Sequence, residues 1–321
     1  MRQRATIVTD PTLLGLAAAS MALLALSAFA PGWAVFILVV SLAEGLVVLG
    51  LMILWRSGLI SFGQSLYYAV GGYAVGLINI EFGVSSALFL VLCGSLAAGL
   101  LAFLLGFLLA RYRHIFFGML SLAFAMILYG VLVKSATLGS TDGFSILVPS
   151  FPFFAPGPAE AQRALAAFAA LLALLAAAFM HRYLRSTAGY LGTAIRDNEI
   201  RVEYLGFSAE RAIHLKFVLA GVLAGAGGAV AAMAVGHIDP EMAYWTTSGE
   251  FVFVAVLSGT GSVAAPFLGS ALFVLLRIYA AQYAPQIWHL VVGTALLLLI
   301  VFLPEGVWSL FRRSPKRRGP A

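Results

Sequence analysis

Charge is what this sequence has least of: 10% of its 321 residues are Asp, Glu, Lys or Arg, against roughly a quarter in a soluble globular domain. With 62% hydrophobic residues, the chain cannot clothe a water-facing surface. A bilayer is its natural solvent. Cysteine is almost absent too, and Cys93 alone excludes an internal disulfide and a cysteine-cluster metal site. No Gly-Lys dipeptide occurs, so there is no Walker loop to cradle phosphates. No His-Glu-x-x-His pair is present, and the five histidines are scattered. A Gly-x-Gly-x-x-Ala run at 259–264 lacks the strand-to-helix setting that a dinucleotide site needs. These absences argue against catalysis by this chain alone.

What the chain has in abundance is apolar runs of bilayer length, about 20 residues each. They fall at 12–30, 33–54, 58–80, 84–110, 115–133, 164–180, 213–236 and 286–303. A further stretch, 251–281, is apolar but interrupted by Gly259-Thr260-Gly261-Ser262 and Pro266. Such residues break a helix unless neighbouring protein satisfies the freed backbone groups, so two half-helices are expected there. The expected fold is all-α: a polytopic integral membrane protein of about eight full transmembrane helices plus a broken or re-entrant helical pair. Residues 1–321 then form a single transmembrane domain.

The net charge of +6 does not point to nucleic acid, because the basic residues sit in short connectors and tails. Lys and Arg favour the cytoplasmic side of short loops. With the N-terminus inside, Arg2, Arg4, Arg56, Arg111, Arg113, the six basic residues of 181–216 and the five of the tail 311–321 all lie inside. Sixteen of the nineteen basic residues then obey the rule. The tail shares that side only if 251–281 crosses an even number of times, which favours a re-entrant pair over a ninth span. The opening residues, with Ala28-Phe29-Ala30 after an apolar run, imitate a cleavable signal. The run is longer than a usual signal core, and a retained first helix is expected.

The connectors differ in character. Residues 134–163 are rich in Pro, Gly and Ser and include the turn-forming Thr141-Asp142-Gly143. Residues 237–250 carry Asp239, Glu241 and Glu250 with Tyr244 and Trp245; they read either as an interfacial anchor with solvated acids or as an outer vestibule that meets a delivery protein. The connector 181–216 contains TAIRDNEIRVEYL (193–205), built of good helix formers, with Asp197 and Arg201 at i,i+4. Gly206 follows as a helix stop. A short, mostly polar helix suits insertion into a separate soluble partner, and it suits a solvated connector as well.

At this point the residues resemble a known family. AIRDNEIRVEYLGFSAERAIHLKFVLAGVLAGAGGA (194–229), GLISFGQSLYYAVGGYAVGL (58–77), SLAFAMILYG (121–130), VLSGTGSVAAPFLGSALFVLL (256–276) and FLPEGVWSL (302–310) resemble, in the same order, blocks of the branched-chain amino acid ABC transporter permeases of the LivM type. The chain departs from that pattern at Trp55-Arg56, in the outer motif at 138–143, and at Glu305. The resemblance implies an importer subunit of the bacterial inner membrane, with both termini cytoplasmic. It implies three kinds of partner besides lipid: a homologous second permease of LivH type, two cytoplasmic ATP-binding subunits and an extracytoplasmic solute-binding protein. ATP and Mg would be held by those partners and no cofactor by this chain. The family default solute is a branched-chain amino acid, although some relatives move urea, short amides or aromatic acids. Ala194, Ile195, Arg196, Asp197, Asn198, Glu199 and Arg201, closed by Gly206, would form the coupling helix seated in an ATPase groove. Its contact is expected to be partly electrostatic, through Arg196, Asp197, Glu199 and Arg201.

Within the apolar runs, Glu44 falls near mid-span, where an ionised carboxylate is expensive and usually functional. A protonated or hydrogen-bonded acid between helices is the expectation, and Glu44→Gln should then leave uptake largely intact. An ion-coupled secondary transporter is the rival class; it needs several pathway acids or bases, and only Glu44 qualifies by this reading. Ser61, Gly63 and Gln64, in a Gly-rich segment that permits close backbone approach, and Gly259 and Gly261, at the interruption, are candidates for lining a translocation path. Packing alone accounts for them equally well. Gly221, Gly225, Gly227 and Gly228 are expected to let two helices pack closely.

Overall fold

A computed structural model describes residues 11–151, 158–303 and 306–311. Arg2, Arg4, Glu305 and the basic residues from Arg312 onward lie outside these residues. Eleven α-helices occur among the described residues: α1 Pro11–Phe29, α2 Gly32–Trp55, α3 Gln64–Phe82, α4 Ala87–Leu109, α5 His114–Lys134, α6 Pro158–Leu184, α7 Thr187–Tyr204, α8 Ala209–Val235, α9 Trp245–Ser258, α10 Ala265–Tyr283 and α11 Trp288–Phe302. Six of them, α2, α4, α5, α6, α8 and α10, are long and apolar enough to cross a membrane. The protein is therefore an all-α, polytopic membrane protein. A two-stranded ribbon, β1 Phe144–Ser145 against β2 His237–Ile238, joins two connectors at one end of the bundle.

Two helix boundaries differ from the sequence expectation. The run drawn over 58–80 begins with a loop, since Gly58 has φ +77 and α3 starts only at Gln64. The left-handed region that Gly58 occupies is open to glycine at little cost, and it turns the chain out of α2. The interrupted stretch breaks into two helices as expected, but they are unequal. Helix α9 has 14 residues, about 21 Å at 1.5 Å per residue, and falls short of the roughly 30 Å hydrocarbon core. Helix α10, with 19 residues, is long enough to span. The break lies beside the end of α2, where Arg56 Nη2 donates to the Thr260 carbonyl. Burial lowers the pKa of that guanidinium from its ordinary value. Gly259 and Gly261 pack there on Gly306 and on Trp308 of the closing 3-10 turn Val307–Phe311.

Helix α8 is the hub, packed on α2, α3 and α4. Its C-terminal two-thirds read as Ala and Gly and are buried nearly all round, the pattern of a helix enclosed by others. A Cβ on Gly228 would overlap the Tyr68 carbonyl oxygen, and one on Gly71 would overlap the Gly225 carbonyl oxygen. Ala43 O and the side chains of Ala98 and Ala102 press on Gly227, Gly225 and Gly221 in the same way. The four glycines expected to allow close packing do so, each toward a different neighbouring backbone or Ala.

Candidate functional site

Helix α7 caps one end of the bundle, where the end of α2, the α4–α5 turn and the start of α8 converge. It is seated by small residues. Gly192 packs against Lys216 Nζ and Ser57 Oγ, and Lys216, buried in α8, donates to Ser57 Oγ at 3.1 Å. Gly189 lies on the Tyr183 carbonyl, while Ile195 and Val202 are buried beneath the helix. At Asn198 the backbone leaves helical geometry, with φ −163 and ψ 101, and its side chain accepts from the Arg201 N–H at 2.9 Å as a fresh N-cap. The helix ends in a Schellman arrangement: Gly206 N–H donates to Glu203 O, Phe207 N–H to Val202 O, and Gly206 has φ +86.

These contacts revise the expected 194–205 rod. The helix begins at Thr187, is kinked at Asn198, and two of its side chains reach into the bundle core. The kink takes Asp197 and Arg201 off a shared helical face, and Asp197 instead lies 3.7 Å from Arg196. Glu199 is held by Arg113, with Nη2 at 2.6 Å from Oε1 and Nε at 2.9 Å from Oε2. Arg113 immediately precedes α5, so this two-pronged pair ties the second segment of α7 to the start of that helix. The Arg196 side chain lies on Gly58. Ala194, Arg196, Asp197, Asn198, Arg201 and Gly206 remain exposed, and beside them so do Ile200 (66%), Tyr204 (88%) and Leu205 (72%). The exposed face of α7 is thus apolar towards its C-terminal end.

Arg113→Ala should destabilise the chain by about 1–3 kcal/mol, the range for a charge-assisted hydrogen bond. Adding Glu199→Ala should cost little more, because both changes remove one interaction. Denaturation of the purified single and double variants reads the difference.

A cavity of about 1270 Å³ runs from Gly58 and His114, near α7, to Val235 and Glu241 towards the opposite end. It exceeds the roughly 300–1,000 Å³ of a fitted small-ligand site, and has the dimensions of a corridor. Its wall is mostly apolar and comes mainly from α2, α5, α9, α10 and α11, with residues of α3, α8 and the loop before α3. Three charged groups face it together. Arg277 Nη2 lies 2.8 Å from Glu44 Oε1, and Arg277 Nη1 lies 2.7 Å from Glu250 Oε2. Among the described residues no group of three or more His, Cys, Asp or Glu is placed to hold a metal ion.

The profile of the family described as branched-chain amino acid transport system / permease component matches residues 33–301. The chain belongs to that family. The permease is 26% identical over 301 residues to the high-affinity branched-chain amino acid transport system permease protein LivM of Escherichia coli K12, covering 86% of this chain and 70% of that protein. It is 28% identical over 293 residues to LivM of Salmonella typhimurium LT2, covering 83% and 68%. With LivH of the same Salmonella strain it shares 25% over 270 residues, covering 78% and 85%. No solved structure matches it.

Glu44, the intramembrane acid marked in the sequence, lines the permease cavity and is ion-paired. Among the described residues the cavity wall includes none of Ser61, Gly63, Gln64, Gly259 and Gly261. Gly58, Ile60 and Phe62 form the wall where Ser61 and Gly63 were expected, since in the 56–63 loop the latter point away. Gly63 packs on the Ser121 carbonyl, and Ser61 and Gln64 are fully buried. Gly259 and Gly261 are occupied by the 3-10 turn described above. Glu44 does not face the cavity alone, because Arg277 and Glu250 stand with it. Arg277 carried a legible signal: it is a lone cation inside ALFVLLRIYAAQY, and such a residue in a span is by default a functional one. Glu250 carried less, being grouped with the acids of a connector until α9 placed it in the wall.

Proposed function

We propose that this chain is one of two homologous permeases of an ABC importer that carries branched-chain amino acids inward across the bacterial inner membrane. Two cytoplasmic ATPases, holding ATP and Mg, would power transport, one of them seated against α7, and an extracytoplasmic binding protein would deliver solute at the opposite end. The reading rests on the family, and on one structural observation above the rest: α7 touches both sides of the near end of the cavity. Arg196 lies on the wall residue Gly58, and Glu199 grips Arg113 next to the wall residue His114. Movement of α7 therefore reaches the cavity through direct contacts rather than through a flexible connector. Both described chain ends support a cytoplasmic placement with α7, since Thr12 Oγ1 meets His181 Nε2 near the end of α6 and the closing 3-10 turn packs beside Arg56. Ser61, Gly63, Gln64, Gly259 and Gly261 act in this reading behind the wall, fixing the loop and turn that frame the path.

Reconstitution tests the proposal. Leucine uptake should require the second permease, both ATPases, the binding protein and ATP; gradient-driven uptake by this chain alone would overturn it in favour of a secondary transporter. The ATPase contact should centre on exposed apolar anchors, which dominate interfaces when they are enclosed. Replacing Tyr204 and Leu205 together by Ser should lower ATPase co-purification at least tenfold while membrane insertion is normal. Undiminished co-purification would place the contact elsewhere.

A further inference from the structure

Glu44, Glu250 and Arg277 all face the cavity, two carboxylates to one guanidinium. The cluster thus carries one excess negative charge, with Glu241 a further carboxylate in the wall, and the rest of the lining is mostly apolar, with side chains such as Phe36, Val40, Phe253 and Leu296. The two acids are not equivalent. The Glu44 side chain is 6% exposed and that of Glu250 is 27%, so Glu250 is the partner with room to move. It extends from α9 next to Gly249, and both residues line the cavity. Arg277 is steadied from behind by Glu44 and lies with its Cζ 5.8 Å from the Phe273 ring centroid.

We propose that the Arg277–Glu250 pair is a recognition site, inside the path, for zwitterionic amino acids with apolar side chains. The solute carboxylate takes the place of Glu250 on Arg277 Nη1, and the released Glu250 receives the solute ammonium, while Glu44 keeps Arg277 oriented. This rests on the reading of the chain as an amino acid permease. A zwitterion alone makes the exchange without leaving a charge unpaired. A simple anion would strand Glu250 beside Glu44, and a neutral solute would find the pair closed; an uncompensated charge in a low-dielectric site is costly. The apolar remainder of the wall suits the side chain. Competition with the internal pair also keeps the solute weakly held, as conduction requires. Guanidinium geometry suits the role because its several N–H groups let one carboxylate leave while another stays.

The test uses the full transporter in proteoliposomes with radiolabelled leucine at saturating binding protein. Wild-type uptake is measured first; if no zwitterionic amino acid is carried, the functional reading and this inference both fall. Given wild-type uptake, the inference stands on two variants. Glu44→Gln, Glu250→Gln and Arg277→Met together remove every charge of the cluster, a neutral exchange that buried ion clusters tolerate. A merely structural cluster predicts uptake within twofold of wild type in this triple variant; a recognition site predicts normal assembly with uptake reduced at least tenfold. Glu250→Gln alone leaves Arg277 paired with Glu44 and should reduce uptake at least fivefold. Should the triple variant fail to assemble, uptake within twofold of wild type in Glu250→Gln overturns the inference and leaves the functional reading intact.

Discussion

Arg277→Met, made alone, is expected to destabilise the protein by about 3–5 kcal/mol, the cost of removing one partner from a buried ion cluster. The substitution leaves Glu44, 6% exposed, and Glu250 facing each other across the cavity with no cation between them. Two carboxylates in that setting repel, and neither recovers water on the scale it enjoys outside. Most of the loss should return when Glu44→Gln and Glu250→Gln are added, since both stranded charges then disappear. Thermal unfolding of the detergent-solubilised single and triple variants measures it. Equal stability of wild type and Arg277→Met would mean that the cluster is well hydrated. The same reasoning revises the expectation for Glu44→Gln. Read as a lone hydrogen-bonded acid, Glu44 is dispensable to uptake; paired with Arg277, it fixes the guanidinium, and its loss should reduce uptake severalfold.

Gly228→Leu is expected to prevent stable folding, with a cost of about 3 kcal/mol or more from overpacking. Its Cβ meets the Tyr68 carbonyl oxygen, a backbone atom that no rotamer change removes. Relief requires α3 and α8 to separate, and the Gly71–Gly225 contact along the same crossing opposes that. Interiors at crystal-like density do not absorb such a shift. Little intact protein should reach the membrane, whereas Gly249→Ala, where a Cβ meets nothing within 4 Å, should accumulate normally. Comparable membrane levels of the Gly228 and Gly249 variants would show that the α3–α8 crossing is loose.

The sequence by itself determined the class of the molecule. Bilayer-length apolar runs admit few structures other than helices, because unpaired backbone groups cannot face lipid, and the ordered blocks at 58–77, 121–130, 194–229 and 256–276 specified the family. It also located the end of α7, since Gly206 was legible as a stop: the left-handed turn there excludes most residues but glycine. Hydropathy did not find the 56–63 loop, because Leu59, Ile60 and Phe62 are as apolar as a helix. It also missed the kink at Asn198, where a side chain caps the next segment.

Only the tertiary structure decided what the charges do. Glu44, Glu250 and Arg277 are far apart in sequence and lie on three helices, and pairing across such distances leaves no periodic trace. Their meeting depends on α2, α9 and α10 packing around one cavity. Glu199 is a similar case: in sequence it is one more polar residue of an exposed helix, and in space it grips Arg113. Periodicity records which way a residue faces along its own helix, while its partners are fixed by how the helices cross.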